Sequence, residues 1–152
     1  MEVRFPDVKD SHVLELAAFM RVDDIVECHD AGYRSALEAV RHSVEASVEC
    51  RACTIDGEVM AIYGVIPNDV LNGHGTLWLL TTETVDEHRK TFVRYASLVL
   101  LLLKTRWRRL SLGIGSRHVG ALKLALHSGF KPGETYFDRD TGQPFTLHTI
   151  GG

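Results

Sequence analysis

The sequence predicts one α/β domain, over residues 1–152, in which four helices flank a mixed, mostly antiparallel sheet of about seven strands. Three observations lead to this prediction. The chain is 45% hydrophobic, and its 152 residues are enough for one core but few for two. Apolar residues recur with a helical period in some segments and with a strand period in others. Tight turns separate the central strands, whereas helices separate the later ones, so hairpins and crossovers are combined.

The first half of the chain predicts a short strand, two helices and a three-stranded meander. Val13, Leu16 and Met20 share one helical face and follow cap-type residues. Asp56-Gly57 tolerates the positive φ values of a two-residue hairpin and separates the first two meander strands. The predicted ranges are 3–5 for the strand, 13–20 and 35–48 for the helices, and 50–55, 58–66 and 76–82 for the meander.

The second half alternates helices with strands. Thr84 and Glu87 have the spacing of a capping box, which marks the start of a long helix over residues 86–104. Ser116 is the predicted N-cap of a later helix that runs to Leu126, and Gly129 ends it in the left-handed conformation. The remaining predicted strands are 109–114 and a final hairpin of 136–137 with 145–150.

Charge and composition exclude several classes of protein. The net charge is −3 and the basic residues are scattered, so nucleic-acid binding is not expected. The apolar run over residues 95–103 is far shorter than the roughly 20 residues of a membrane helix. No apolar segment of signal-peptide length opens the sequence, and three cysteines form no even disulfide framework. A cytoplasmic location without a membrane span is expected.

Two resemblances are carried by the C-terminal part of the chain. The order of elements, and the segment from Ser116 to Pro132 that contains the Gly129-Phe130 pair, resemble the GNAT superfamily of acyl-CoA N-acyltransferases. Residues 143–152, which follow an Asp-Arg-Asp-Thr-Gly turn, are similar to the end of a GNAT-like internal virion protein family of short-tailed bacteriophages. The second resemblance implies an assembly role and a location in the host cytosol or the virion.

The stretch that holds acyl-CoA in GNAT enzymes departs from the family pattern. Residues 82–90 contain no glycine, whereas the family has a Gly-rich loop that lets backbone N–H groups approach the pyrophosphate. Asp86 and Glu87 place negative charge where phosphates must come. The family's tyrosine acid corresponds to Ala125. These departures predict a degraded site with no cofactor.

The alternative is that acetyl-CoA still binds, and it assigns roles to particular residues. Glu83, at the end of the fourth strand, is then the candidate base, although a carboxylate there also suits a helix N-terminus. His118 occupies a position where the family often has asparagine, and its other interpretation is a surface histidine. The candidate cofactor-binding residues are Leu80, Thr82, His88, Arg89 and His118.

Two acid- or thiol-rich segments are interpreted as structural. Cys50 and Cys53 stand three apart in a predicted strand and therefore point to opposite faces, so they share neither a metal nor a disulfide. Asp138 and Asp140 lack the remaining ligands of a calcium loop and suit a hairpin turn. No metal site is predicted.

The long helix is more apolar than a sheet-covering helix requires. Leu98, Leu101 and Leu102 extend the apolar surface beyond one face. A homodimer contact, a second helix of the same chain or a larger assembly is expected to cover them. Two functions follow from the sequence: a phage or prophage GNAT-like protein acting through protein interaction, or a GNAT-family N-acetyltransferase acting on an amine.

Overall fold

The computed structural model describes residues 1–152 and contains one seven-stranded sheet in the order β1-β2-β3-β4-β5-β7-β6. All neighbouring strands are antiparallel except β4 and β5, which are parallel. The predicted mixed, mostly antiparallel sheet is therefore confirmed. The strands are β1 (Val3–Arg4), β2 (Glu49–Ile55), β3 (Glu58–Asp69), β4 (His74–Thr81), β5 (Arg109–Gly115), β6 (Lys131–Phe137) and β7 (Pro144–Gly151).

Six helices cover the two faces of this sheet, where the sequence predicted four. One face packs on α1 and α3 through Ile62 and Leu80, and the other packs on α5 and α6 through Val65 and Leu110. No helix combines the length and apolar character needed to cross a membrane. The helices are α1 (Asp10–Ala18), α2 (Val22–Asp30), α3 (Ala36–Ala46), α4 (Thr84–Glu87), α5 (Arg89–Arg106) and α6 (Val119–His127).

Local glycine signals in the sequence are confirmed. Asp56 and Gly57 have φ values of 49° and 84°, as the two-residue hairpin between β2 and β3 requires. Gly129 has a φ of 97° after α6, which a residue with a side chain rarely adopts.

The additional helix α2 escaped prediction because its buried side chains are not mainly apolar. The three buried residues of α2 are Asp24, Cys28 and Asp30. Only Cys28 contributes to a hydrophobic pattern in the sequence. The helix is nonetheless held in the fold, since its aspartates are bonded to other elements.

The predicted capping box at the start of the long helix is wrong. The helix is interrupted at His88 (φ −136°, ψ 40°), so the short α4 and the long α5 are separate. Glu83 is the N-cap of α4 and makes no side-chain cap bond, while the Thr84 N–H donates to Thr82 Oγ1 at 3.3 Å. The predicted Ser116 cap of α6 is also wrong, because His118 occupies that position and its Nδ1 accepts from the Ala121 N–H at 3.2 Å.

Candidate active site

A cleft opens in the sheet between the two parallel strands. β4 and β5 pair only at their beginnings, where His74–Thr76 lies beside Arg109–Ser111. Beyond that point β4 stays paired with β3 up to Thr81, and β5 stays paired with β7 up to Gly115. The facing edges of β4 and β5 are therefore left without a strand partner. In α/β sheets, ligands bind at the carboxyl ends of such separated parallel strands.

A cavity of about 530 Å³ occupies this cleft and borders both faces of the sheet. This volume is in the range typical of small-molecule sites. Side chains from α5 and α6 line it on one face, and side chains from α2 and α3 line it on the other. Representative lining residues are Phe92 and Val99 from α5, Ala121 and Ala125 from α6, and Cys28 and Ala39 from α2 and α3.

Helix α2 closes the far end of the cleft by bonding to both separated strands. Asp24 Oδ2 accepts from the backbone N–H and the hydroxyl of Thr81, the last residue of β4, at 2.7 and 2.6 Å. Glu27 Oε2 accepts from the N–H of Gly115, the last residue of β5, at 2.8 Å. Two carboxylates one helical turn apart thus replace the strand pairing that the cleft has lost.

Asp24 forms a buried pair with His118. The His118 Nε2 lies 2.6 Å from Asp24 Oδ1, and both residues are about 5% exposed or less. Because His118 Nδ1 accepts from Ala121 N–H, the imidazole donates Nε2–H to Asp24 in its neutral form. Burial lowers the pKa of His118, but the bond to Asp24 and the Glu27 carboxylate raise it, and the net direction is upward.

Glu27 is the titratable group most suited to proton transfer in the cavity. Burial raises the pKa of Glu27 to about 7, although the Gly115 N–H and His118 lower it. The neighbouring Asp24 and Asp30 carboxylates raise it further. A carboxyl group whose pKa lies near neutrality accepts and releases protons under physiological conditions.

Tyr136 lies over β5 inside the cleft. A Cβ atom at Gly113 would collide with Tyr136 Oη, so the phenol occupies the space that a side chain at position 113 would take. The Tyr136 ring stacks on Phe145 with centroids 5.7 Å apart. Burial and the charges of Glu27 and Asp138 raise the pKa of Tyr136, so its hydroxyl keeps its proton at neutral pH.

The start of α5 offers donors that no acidic side chain caps. The first α5 turn contains no acidic residue and its N-cap, His88, makes no side-chain cap bond. The helical ladder begins with Phe92 N–H donating to His88 O at 2.8 Å, which leaves the preceding amides of α5 without an i−4 partner. The carboxylate of Asp86 belongs to α4 and is held by both Arg21 and Arg89 at 3.2 Å. This arrangement differs from the predicted one, in which acidic caps occupied the helix start.

The structure places the predicted cofactor-binding residues in different environments. Leu80, Arg89 and His118 line the cavity, whereas Thr82 and His88 do not. The Thr82 hydroxyl donates to Val59 O at 2.8 Å, inside the sheet. Their roles toward acetyl-CoA stay predictions.

The predicted base lies outside the cavity lining, whereas the residues that the sequence missed belong to it. Glu83 is exposed and outside the cavity lining. Sequence reasoning overlooked Asp24, Glu27 and Tyr136, which line it. The sequence signal that could have identified Asp24 and Glu27 was a cluster of acidic residues over 23–30, which lies between two predicted helices. Ala125, at the position of the family's tyrosine, is buried and lines the cavity.

The two cysteines of β2 face opposite sides of the sheet, as predicted. Cys50 packs against the core beneath α1 and α3, while Cys53 lies in the cluster with Phe92 of α5. Burial raises the pKa of the Cys50 and Cys53 thiols to about 12 and about 11 respectively, so both stay protonated at neutral pH. Neither thiol is suited to bind a metal as a thiolate.

Solved acetyltransferases resemble the chain over its whole length. A spermidine N-acetyltransferase from Vibrio cholerae, in complex with CoA and spermine, matches with a TM-score of 0.71 at 12% identity, over 97% of this chain and 94% of that one. A ribosomal L7/L12 alpha-N-protein acetyltransferase in complex with CoA matches with a TM-score of 0.69 at 9% identity, over 97% and 93%.

A further match is a GNAT-family acetyltransferase from Streptococcus pneumoniae, with a TM-score of 0.64 at 12% identity, over 98% of this chain and 99% of that one. No protein-family model matches the sequence, and no curated protein matches it. At these identities the likeness shows the fold, which is the GNAT acetyltransferase fold. The resemblance to that fold is confirmed, whereas the resemblance to phage virion proteins stays a prediction.

Proposed function

We propose that the chain is an N-acyltransferase that moves an acetyl group from acetyl-CoA to an amine. The observation that carries the proposal is the cleft between β4 and β5, whose cavity is lined by the Glu27 carboxylate. An apolar cavity with a carboxyl group of near-neutral pKa suits proton removal from an ammonium. The sequence-based alternative of an acetyltransferase is thereby favoured over a degraded site.

The cleft edges fit the extended, amide-containing arm of CoA. Thr81 directs its N–H to Asp24 and its carbonyl to the Arg21 N–H, away from β3. Because backbone direction alternates along a strand, the N–H and carbonyl of Leu79 face the cleft as well. On β5, the Gly115 N–H points to Glu27 on the cleft side, so the backbone of Gly113, two residues earlier, faces the cleft too. An extended chain with amides gains main-chain hydrogen bonds at such an edge.

The start of α5 fits the phosphates of the same cofactor. Its unpaired amides and helix dipole favour negative charge, and Arg89 and Lys90 add two cationic side chains there. Acetyl-CoA supplies an acyl group activated as a thioester. A glycine-rich loop is replaced here by the interruption at His88, which frees the α5 amides from acidic caps.

Two side chains of the chain handle protons in the cavity. Glu27 accepts the proton of the acceptor's ammonium at its free Oε1, while Oε2 stays bonded to Gly115 N–H. Asp24 and His118 hold the α2 backbone against β4 and α6, which keeps Glu27 aimed at the cavity. When the amine nitrogen takes the acetyl group, the C–S bond of the thioester would break and a thiolate would leave. Tyr136 holds a proton at its Oη on the β5 side and is the candidate donor of that proton to the thiolate.

Calorimetry with acetyl-CoA tests the proposal directly, with acetate and adenine as control ligands. We expect one acetyl-CoA per chain, and a melting temperature raised by several degrees at 100 times the dissociation constant, corresponding to about 2.7 kcal/mol. Arg89→Ala should weaken this binding, while Arg94→Ala, on the same helix but outside the cavity lining, should not. A chain that binds neither acetyl-CoA nor longer acyl-CoA thioesters is not an acyltransferase.

A protein-interaction role is a second candidate, favoured by one observation. Leu98, Leu101 and Leu102 are 45%, 60% and 59% exposed on α5, so the fold does not cover them. We propose that a second copy of the chain covers them. Leu101→Asp should keep the circular dichroism spectrum of the folded chain and reduce self-association in light scattering. Association equal to that of the wild type would exclude this surface.

A further inference from the structure

The part of the cavity on the α1–α3 face of the sheet has an apolar lining. We call this lining the acceptor wall, and it consists of Cys28, Ala31, Tyr33, Ala39 and Trp78. Cys28 and Ala39 belong to the core cluster beneath α1 and α3, and Tyr33 and Trp78 pack against that cluster. The acceptor wall therefore continues the hydrophobic core up to the cavity.

The two aromatic residues of the acceptor wall have their polar atoms engaged within the protein. Tyr33 Oη lies 2.7 Å from His42 Nδ1, and Trp78 Nε1 donates to Ser47 Oγ at 2.7 Å. A ligand against the wall therefore meets ring surfaces and methyl groups. Ser43 adds the one hydroxyl that α3 contributes to the cavity.

The acidic residues that line the cavity offer one available carboxylate. Asp24 already accepts from three donors, namely the Thr81 N–H, the Thr81 hydroxyl and His118 Nε2. Glu27 accepts only from Gly115 N–H, so its second oxygen is available to a ligand. The remaining charged residues of the lining, Arg21 and Arg89, have cationic guanidinium groups, which offer an ammonium no acceptor.

A polar side cavity beside Glu27 is too small for a second ammonium arm. It measures about 40 Å³ and is lined by Asp23, Asp30 and Arg117 together with Glu27. Both oxygens of Asp30 are bonded to the Arg117 guanidinium. The space suits water and does not hold a second alkylammonium arm.

We infer that the acceptor is a primary monoamine on an apolar or aromatic body, with its nitrogen at Glu27 and its body against the acceptor wall. This inference rests on the proposed acyl transfer and narrows its substrate class. A second ammonium on the same molecule would lie against the acceptor wall without a carboxylate to pair with, which is unfavourable in an apolar lining. The acceptor thus differs from the polyamine bound in one of the similar solved structures.

A matched pair of amines tests the inference. Hexylamine and 1,6-diaminohexane have the same chain length and differ by one ammonium group. Both amines are tested with acetyl-CoA, and the rate is measured from CoA release with a thiol reagent. We expect kcat/KM to be about 100-fold higher for hexylamine than for 1,6-diaminohexane. 2-Phenylethylamine should be used at least as well as hexylamine. Equal or better use of 1,6-diaminohexane or spermidine would overturn the inference.

Two variants connect this selectivity with the acceptor wall. Tyr33→Ala should lower kcat/KM for 2-phenylethylamine about tenfold and leave the KM for acetyl-CoA unchanged. Tyr95→Ala is the matched control, since Tyr95 lines the cavity from α5 and does not belong to the acceptor wall. This variant should leave kcat/KM for 2-phenylethylamine unchanged. Ser43→Asp should reduce the ratio of kcat/KM for hexylamine to kcat/KM for 1,6-diaminohexane, because it supplies a second carboxylate. Circular dichroism confirms that each variant is folded.

The outcomes separate this inference from the proposed function. Acetyl-CoA binding with a reversed amine preference overturns the monoamine inference and leaves acyl transfer standing. No acetyl-CoA binding, with no turnover of any amine, overturns acyl transfer and the inference with it. An unchanged amine ratio in Ser43→Asp, in a folded and active variant, contradicts the assigned position of the acceptor body.

Discussion

Asp24 and Glu27 stand one turn apart on α2 and bond to the ends of two different strands, Asp24 to β4 and Glu27 to β5. The first carboxylate has all its hydrogen bonds made within the protein, whereas the second keeps an oxygen for a ligand. One helix thus closes the cleft and supplies its proton acceptor.

Glu27→Gln should remove most of the acyl transfer. The amide keeps the shape and accepts from Gly115 N–H, but it takes no proton, so kcat/KM should fall by about 10²–10⁴-fold. Glu83→Gln is the control, because Glu83 is exposed and outside the cavity lining. Acetyl-CoA affinity should be the same in both variants. A loss of activity in Glu83→Gln with full activity in Glu27→Gln would assign the base to Glu83, as the sequence suggested.

The pH dependence of the rate should follow Glu27. Because its pKa is raised to about 7, the base is mostly protonated at pH 6 and mostly ionised at pH 8. We therefore expect kcat/KM to rise about tenfold per pH unit below 7 and to level off above it. A profile measured with an amine of unchanged ionisation over this range checks the inflection. A rate that is flat from pH 5.5 to 8 would contradict the role of Glu27.

The same raised pKa predicts how stability changes with pH. Between the ordinary value of 4.5 and about 7, the folded chain holds a proton on Glu27 that the unfolded chain has released. The free energy of unfolding therefore falls as the pH rises through this window, by at most ~1.4 kcal/mol per unit. The raised pKa of His118 acts above its ordinary value of 6.5, so urea titrations between pH 4.5 and 6 isolate Glu27. Parallel curves for wild type and Glu27→Gln would contradict the burial of this carboxyl group.

Asp24→Ala should destabilise the fold more than a surface change does. It leaves the Thr81 N–H, the Thr81 hydroxyl and His118 Nε2 without their acceptor in a buried site. The expected loss is about 3–5 kcal/mol in chemical denaturation. Asp23→Ala, on the exposed side of the same helix, is the matched control and should cost less than about 1 kcal/mol. Similar losses in the two variants would show that the buried pair is not important for stability.

Gly113→Ala should displace Tyr136, and removing the tyrosine hydroxyl should restore the fit. The new methyl group collides with Tyr136 Oη, whereas the nearest ring carbon lies 3.5 Å away, at ordinary contact distance. Gly113→Ala alone should therefore lower stability and activity. The double variant with Tyr136→Phe should regain the stability and show the activity of Tyr136→Phe alone. Additive losses in the double variant would mean that the two residues do not meet.

Much of the fold was predictable because its signals are local. The turn at Asp56-Gly57, the end of α6 at Gly129 and the alternation that separates Cys50 from Cys53 depend on residues a few positions apart. The missed helix α2 and an ion pair before the interruption at His88 involve residues distant in the sequence. Asp24 is buried against Thr81, and the carboxylate of Asp86 is shared by Arg21 and Arg89. Neither arrangement leaves a hydrophobic period in the sequence.

By itself the sequence determined the seven strands, the main helices and the class of fold, because backbone propensity and hydrophobic period act over a few residues. Tertiary structure alone decided the site. Asp24 and Thr81 are 57 positions apart, and Glu27 and Gly115 are 88 positions apart. Their meeting depends on where β4 and β5 separate and on which helix fills the gap. A carboxyl group acquires a pKa near 7 only when that packing removes it from water.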